Sequence, residues 1–499
     1  MGKNEKIPKT WTVVHIEDIG ANEKYPIGDG DHGQIKPESY VKTGIPYIRV
    51  GDMRWGTLST ENMVCIPKKI HDENPKSHLK PGDIIIAKTG ATIGKCAIIP
   101  SYMKTANTTA SVGKVSIDKG LTISKWVLYY FLSDEFKNNM WKVSNKTAQP
   151  GFNVINIKKF LIPLAPLNEQ KRIVEKIEEL FSEIHYSKQF ITSVIIKLKN
   201  TRESLLMEGI IGNLSKQWRT NYSTIKNNEL LNEIKFEQEK YFKKLFENST
   251  KNRRMPKYDV DFHHDVYPKK QIPQDWRWCR LGEIILHLTD YHSNASYELL
   301  RKNVSLYDNP DYAFMIRATN FEKNDFANKM KYISKNAYEF LFKSKLFGGE
   351  ILIGKIGNAG AVYFMPTLNH PSSLAMNLFA LRFPKQINSK YVYYHLTSSS
   401  SKQNIQKYVK GVGNPTIDKK SIRSLWISLP SFDEQNFIVK ILETYFTIID
   451  TQISGLTSIL KKHDILFSSI LKKAFEGKLV PQDPNDEPVS ELLKQIKNQ

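Results

Sequence analysis

Apolar residues fall on two long, evenly stepped tracks. From Ile173, steps of four then three residues touch Ile173, Ile177, Leu180, Ile184, Ser187, Ile191, Val194, Leu198, Thr201 and Leu205, and all but Ser187 and Thr201 are apolar. The same stepping from Ile438 touches Ile438, Leu442, Tyr445, Ile449, Gln452, Leu456, Ile459, His463, Leu466 and Ile470, with Gln452 and His463 the polar members. An apolar period of 3.5 residues held over several heptads predicts a coiled coil. Each stripe must bury against another surface, and the obvious one is the other stripe. Ser187 and Gln452 lie near mid-helix, where a polar seam residue either sets register or is a tolerated gap. Outside these tracks the pattern breaks into short β-rich runs ("IPYIRV", "GDIIIAK", "FMIRATNF", "EILIGKIG") punctuated by Gly and Pro, which predict strands. One amphipathic helix interrupts each set, beginning at Ser124 or Ser389, the serine being its expected cap.

The two tracks belong to a repeat that spans the chain. "LNEQKRIVEKIEELFSEI" from Leu167 returns as "FDEQNFIVKILETYFTII" from Phe432, an offset of 265. "IPKTW" at Ile7 returns as "IPQDW" at Ile272, Pro150 falls on Pro415, and Gly212 falls on Gly477 at the same offset. Between these anchors the halves diverge and need small shifts. Repeats of this length define the architecture before any residue does. The boundaries read as a first α/β domain over 1–163, a long helix within 164–214, and a linker over 215–270. Then follow a second α/β domain over 271–428, a second long helix within 429–480, and a tail over 481–499. Within the linker, "NELLNEIKFEQEKYFKKLFEN" predicts an amphipathic helix. The expected fold is therefore two pseudo-symmetric α/β (α+β) domains joined by two long helices. Two like units each feeding its own helix pair about a pseudo-twofold axis, which sets the helices antiparallel. About 39 helical residues span roughly 58 Å, against about 34–36 Å for one turn of DNA, so such a rod can set the distance between two reading heads.

Charge then narrows the partner. Lys and Arg number 72 against 51 Asp and Glu, a net +21, which points to a polyanion. The start, "MGKNEKIPKTW", lacks the apolar core of a signal peptide, and no long apolar run appears, so a membrane role is disfavoured and a cytoplasmic location expected. Cys65, Cys96 and Cys279 stand far apart, without the spacing of a zinc knuckle or disulfide frame. His263-His264-Asp265 has no partner at metal-ligand spacing, so no metal site is expected. Two fragments imitate enzyme motifs. "TGATIGKC" is one residue short of a P-loop and follows Lys with Cys96 instead of a hydroxyl. "DNPDY" at Asp308 lacks the second Pro of an adenine methyltransferase motif. No catalytic residue or resident cofactor is expected.

With "PLNEQKRIVEKI" and "LPSFDEQNFIVKIL" each following a β-rich domain, and with "GIPYIRVGDM", "LKPGDIIIAKTGATIGK" and "TAQPGFN" inside the first, the chain resembles the specificity subunits of type I restriction–modification systems. The resemblance covers nearly the whole chain. It implies that each α/β domain is a target recognition domain reading one half of a bipartite site in double-stranded DNA. It implies that the helices set the gap and dock two copies of an adenine-N6 methyltransferase subunit, which carries the S-adenosylmethionine. Translocating restriction subunits complete such assemblies. The alternative from the residues alone is a stand-alone, pseudo-dimeric DNA-binding regulator or architectural protein.

Phosphate contacts from Lys and Arg supply most affinity, and base edges supply choice. The candidates are polar loops. Lys88, Thr89, Thr92 and Lys95 lie on a Gly-rich turn that is either a DNA contact or an ordinary hairpin, and Lys355 and Asn358 are their counterparts. Arg49 and Arg317 end matching strands and would suit guanine, or an internal ion pair. Asp29 and His32 lie in "GDGDHGQ", a recognition loop or a solvated turn. Gln149, Asn153 and Asn414 flank the two prolines, as adenine readers or as caps. The basic "KNRRMPK" from Lys251 reads as solvated linker.

Overall fold

The computed structural model describes residues 7–144, 150–222, 227–246, 268 and 270–497. Gln149, Lys251–Lys257 and His263–Asp265 fall outside them. The chain divides into two compact units: Met1–Ser193 with Leu456–Gln499, and Val194–Gly455.

In the first unit β1 (Thr12–His15) pairs antiparallel with β10 (Leu161–Leu164), joining the start of the domain to the strand that precedes the long helix. One four-stranded antiparallel sheet runs β2 (Ile27–Asp29), β9 (Val112–Val115), β6 (Ile84–Ala87), β7 (Cys96–Ile98). A second runs β4 (Val64–Ile66), β3 (Ile45–Ile48), β8 (Ala106–Thr108), β5 (His78–Leu79), with β3 and β8 parallel. The "IIIA" of β6 is apolar throughout because both its faces are covered. Ile84 and Ile86 enter one core and Ile85 and Ala87 another, as alternation along a strand requires.

The second unit repeats this plan. Its sheets run β12 (His287–Asp290), β19 (Leu378–Arg382), β16 (Ile351–Gly354), β17 (Val362–Phe364), and β14 (Tyr332–Ile333), β13 (Ala313–Ile316), β18 (Ser372–Leu374), β15 (Lys345–Leu346). β11 (Arg277–Arg280) pairs with β20 (Trp426–Leu429) as β1 does with β10. The helix Asn227–Phe246 belongs to this unit: Leu230 and Ile234 are buried in its core, and the Gln238 amide donates to the carbonyls of Glu283 and Ile285. That stretch is thus core and not free linker.

The long helices are Leu167–Ile210 and Phe432–Phe475, 44 residues each. Inside each unit a half of one packs antiparallel on a half of the other. In the first unit Phe181 stacks on Phe467 with ring centroids 3.9 Å apart, and Lys188 meets Asp464 at 2.6 Å. In the second, the Arg202 guanidinium lies 4.1 Å from the Phe446 ring centroid and Gly209 faces Ile438 and Leu442. Phe446 and Phe467 are the repeat equivalents of Phe181 and Arg202, so one seam position holds an aromatic stack in one unit and a cation on an aromatic face in the other.

The seam differs from the strict four-three stepping in the second helix. Ile173, Ile177, Ile184 and Ile191 are buried, with Leu180 and Leu198 half-buried, as expected. Ile438, Leu442 and Ile449 are buried and Leu456 half-buried, but Tyr445 is 49% and Ile459 42% exposed. Phe446 takes the inward place at 4%, because two consecutive four-residue steps follow Ile438. The steps run four, four, three where the strict register runs four, three, four, and both meet again at Ile449. Gln452 is exposed and is no seam residue, whereas Ser187 is half-buried with its hydroxyl 3.4 Å from His463 Nε2. The serine caps also differ. Ser124 begins its helix without capping it and donates to the Gly82 carbonyl, and in the second copy Asn388 is the cap.

The doubled "EQ" is a lock at the start of each long helix. Glu169 accepts from Trp11 Nε1 and Glu434 from Trp276 Nε1, both at 2.9 Å. Gln170 and Gln435 donate to the carbonyls of Ala165 and Pro430, at 2.8 and 3.1 Å. The segments that follow the long helices complete it. Arg219 reaches Glu434 at 2.5 Å in the second unit, and Gln482 reaches Glu169 in the first, where Arg172 also meets Asp486 at 2.7 Å.

Candidate nucleic-acid interface

Most candidates in each unit gather on one rim, where strand ends hand over to loops. In the first unit Asp29 closes β2, and its carboxylate holds the Lys88 ammonium and lies 3.2 Å from His32 Nε2. Asp31, which the sequence reading passed over, organises "GDGDHGQ". It is buried and accepts the backbone N–H groups of Gly33, Gln34 and Ile35 at 2.9–3.0 Å. Its own backbone bonds Thr108 and Ala110, and Lys88 N bonds Ser111 O, so this loop, the turn after β6 and the β8–β9 loop form one structure. The Asx-type turn signal at Asp31 was present in the sequence.

The Gly-rich turns and the proline loops, far apart in sequence, are neighbours. Gly90 N donates to Pro150 O and Phe152 N to Lys88 O, each at 3.0 Å. In the second unit Gly357 N donates to Pro415 O at 3.0 Å and Ile417 N to Lys355 O at 3.1 Å. Thr89, Thr92 and Lys95 are half-buried on the first turn; Asn358 and Asn414 are exposed on the second rim. Asn358 donates to Glu322 at 3.1 Å and to the Tyr363 hydroxyl at 3.2 Å.

Five candidates have structural partners instead of a free face. Lys88 is 6% exposed and held by Asp29, so it is not an open cation. Lys355 pairs with Asp290 at 2.6 Å, and Lys419 joins the same carboxylate at 2.7 Å. Burial alone would raise the Asp290 carboxyl, but hydrogen bonds from Lys355, Lys419 and Ser293 hold it well below the usual carboxylate range. Arg49 bonds Asp52 at 3.2 Å and the Asn62 carbonyl at 2.7 Å, so the internal ion pair, and not an open guanidinium, describes it. Arg317 likewise donates to the Lys329 carbonyl at 2.8 Å. Asn153 is a cap: its side chain accepts from Asn156 N at 2.9 Å while Asn156 returns a bond to Asn153 N. Lys419 and Asp290 had no local signal, since they lie 129 residues apart.

Among the described residues no cluster of three or more His, Cys, Asp or Glu is placed to hold a metal ion, and no helix is long and apolar enough to cross a membrane.

Two copies of one sheet plan, each leading into one long helix and each carrying a polar rim, match a known family model. The type I restriction modification DNA specificity domain matches twice, over residues 8–194 and 273–457. The chain belongs to that family. The specificity subunit of the type I restriction enzyme EcoKI from Escherichia coli strain K12 is 24% identical over 492 residues, covering 96% of this chain and 91% of that protein. The StySPI specificity subunit from Salmonella potsdam is 22% identical over 495 residues, with the same two coverages. Among solved structures, a chain of a type I restriction–modification system aligns with a TM-score of 0.65 at 17% identity, covering 95% of this chain and 99% of that one. The HsdS subunit from Thermoanaerobacter tengcongensis aligns with a TM-score of 0.53 at 17% identity, covering 95% and 98%. These structural likenesses speak for the fold alone.

Proposed function

We propose that this chain is the sequence-reading subunit of a type I restriction–modification assembly and carries out no chemistry itself. Each unit reads one half of a bipartite DNA site, and the paired helices set the gap and dock two adenine-N6 methyltransferase subunits. S-adenosylmethionine belongs to those partners, and translocating restriction subunits join through them. The observation that carries this reading is the doubled match of the DNA specificity domain, once on each of two units built on the same strand order. The net charge of +21 supports a polyanionic partner. Helices of 44 residues, about 66 Å at 1.5 Å rise per residue, support the spacing role.

The test is to map adenine methylation across the host genome with and without the intact chain, and to ask which proteins copurify with it. The proposal expects one split motif to lose its methylation on deletion, and a methyltransferase to copurify. Unchanged methylation, together with tight site-specific binding by the chain alone, would instead mark a stand-alone regulator.

A further inference from the structure

Arg49 and Arg317 do the same mechanical job. Each caps the turn that follows its strand, through Asp52 and Asn320, which accept the arginine backbone N–H at 2.9 Å. Each guanidinium then reaches the far end of the loop, at the carbonyl of Asn62 or Lys329. The arginine thus frames a loop on the rim and holds both its ends. Counted from the arginine, the tips are Arg54-Trp55-Gly56 in one unit and Glu322-Lys323-Asn324 in the other. Gly56 has φ +92° and Asn324 φ +47°, and Asn324 is the only described non-glycine residue with positive φ. A left-handed residue at the same place in both loops means a shared backbone device carrying different side chains.

The first tip is stiff and chemically distinctive. Arg54 N donates to Thr57 O at 2.9 Å, and Gly56 N to Cys96 O at 2.8 Å, which ties the tip to the edge strand β7. Trp55 is 50% exposed, although tryptophan ordinarily buries most of its surface. The Lys137 ammonium stands 4.9 Å from the indole centroid, and Trp55 approaches the Gly94 end of the Gly-rich turn. Arg54 is exposed, with Nη1 steadied by the carbonyls of Gly51 and Met53 at 2.8 and 3.1 Å. An arginine and a lysine, both already held in place, flank a half-open aromatic face. Holding the cations in advance lowers the entropy lost when an anion arrives.

We propose that the Arg54–Trp55 tip, with Lys137, is a DNA-backbone clamp for the half-site read by the first unit. Arg54 and Lys137 each take a phosphate, and the Trp55 face positions Lys137. This rests on the DNA-reading role proposed above. The second tip, with Glu322 held by Asn358 and with Lys323 exposed, makes a different set of contacts to the other half-site.

The test uses the full chain together with its copurifying methyltransferase and a duplex spanning the mapped site, with binding measured over a range of salt. Neutralising one phosphate contact lowers the slope of log K against log salt by about 1. Arg54→Ala and Lys137→Ala should each do so, and their combination should lower it by about 2. Trp55→Ala should weaken binding about three- to tenfold, while Trp55→Phe restores most of it. The methylated motif should stay the same in every variant, since phosphates carry no sequence. Wild-type slopes in Arg54→Ala and Lys137→Ala would overturn the clamp while leaving the DNA-reading role standing. An altered motif would overturn it too, in favour of base reading. A wild-type assembly that binds no DNA would sink the DNA-reading role and the clamp with it.

Discussion

Arg219 is the cation facing a carboxylate that is nearly inaccessible: the Glu434 side chain is 1% exposed, and the guanidinium reaches it at 2.5 Å. Removing one partner of a buried pair strands the other charge. Arg219→Ala should therefore destabilise the fold by about 3–5 kcal/mol in urea unfolding. The equivalent Glu169 has Trp11 and Gln482 as partners, and burial pushes its carboxyl up, so Glu169→Gln should cost far less. A second residue makes stability depend on pH. His395 is buried, accepts the Ser428 N–H on Nε2 at 3.2 Å and faces Ser401 through Nδ1, so it is held neutral. Burial pushes its pKa down to about 3, and that of His287 down to about 4, from 6.5. Below 6.5 the unfolded chain takes up protons that these folded histidines refuse, so stability should fall as pH drops from about 6.5 toward 4. In thermal melts across that window His395→Gln should flatten the decline; a profile parallel to the wild type would contradict neutral burial.

The helix seam shows how far a sequence can be read and where it stops. The repeat, the two helices and their antiparallel packing within each unit were legible, because apolar spacing is a property of the chain itself. The register of the second helix was not. Strict stepping picks Tyr445, while the fold buries Phe446, and a one-residue choice between adjacent aromatics depends on what lies opposite, here Arg202. Phe446→Ala should cost about 3–5 kcal/mol and Tyr445→Ala under about 1 in urea unfolding, an order that the strict register reverses. The rim divides in the same way. Pairs close in sequence could be seen: Arg49 with Asp52 and Asn153 with Asn156 carry cap spacing. Lys88 with Asp29, 59 residues apart, could not, and so a structural lysine looked like a phosphate ligand. Two glycines at the helix ends complete the frame. Gly212 (φ +83°) and Gly477 (φ +66°) are packed so closely on Pro273 and Pro8 that a Cβ would come within 2.6 and 2.3 Å of the proline rings. Alanine at either should cost more than about 1 kcal/mol.

For the molecule as a whole, the repeat matters because a bipartite site needs two readers of one design and two sequences. The strand orders are the design, and the rim loops that join the strands are where the two copies differ. If the helices set the gap, a heptad inserted at matching places in both should lengthen the unspecified stretch of the methylated motif while both half-sites stay as they were; an unchanged gap would contradict the spacing role. A domain exchange tests whether each unit reads its own half-site. Residues 1–163 are replaced by the corresponding domain of a related specificity subunit, and adenine methylation is mapped genome-wide. The motif should have one half replaced by the donor's and the other half untouched. A motif changed in both halves, or in neither, would contradict independent reading by the two units.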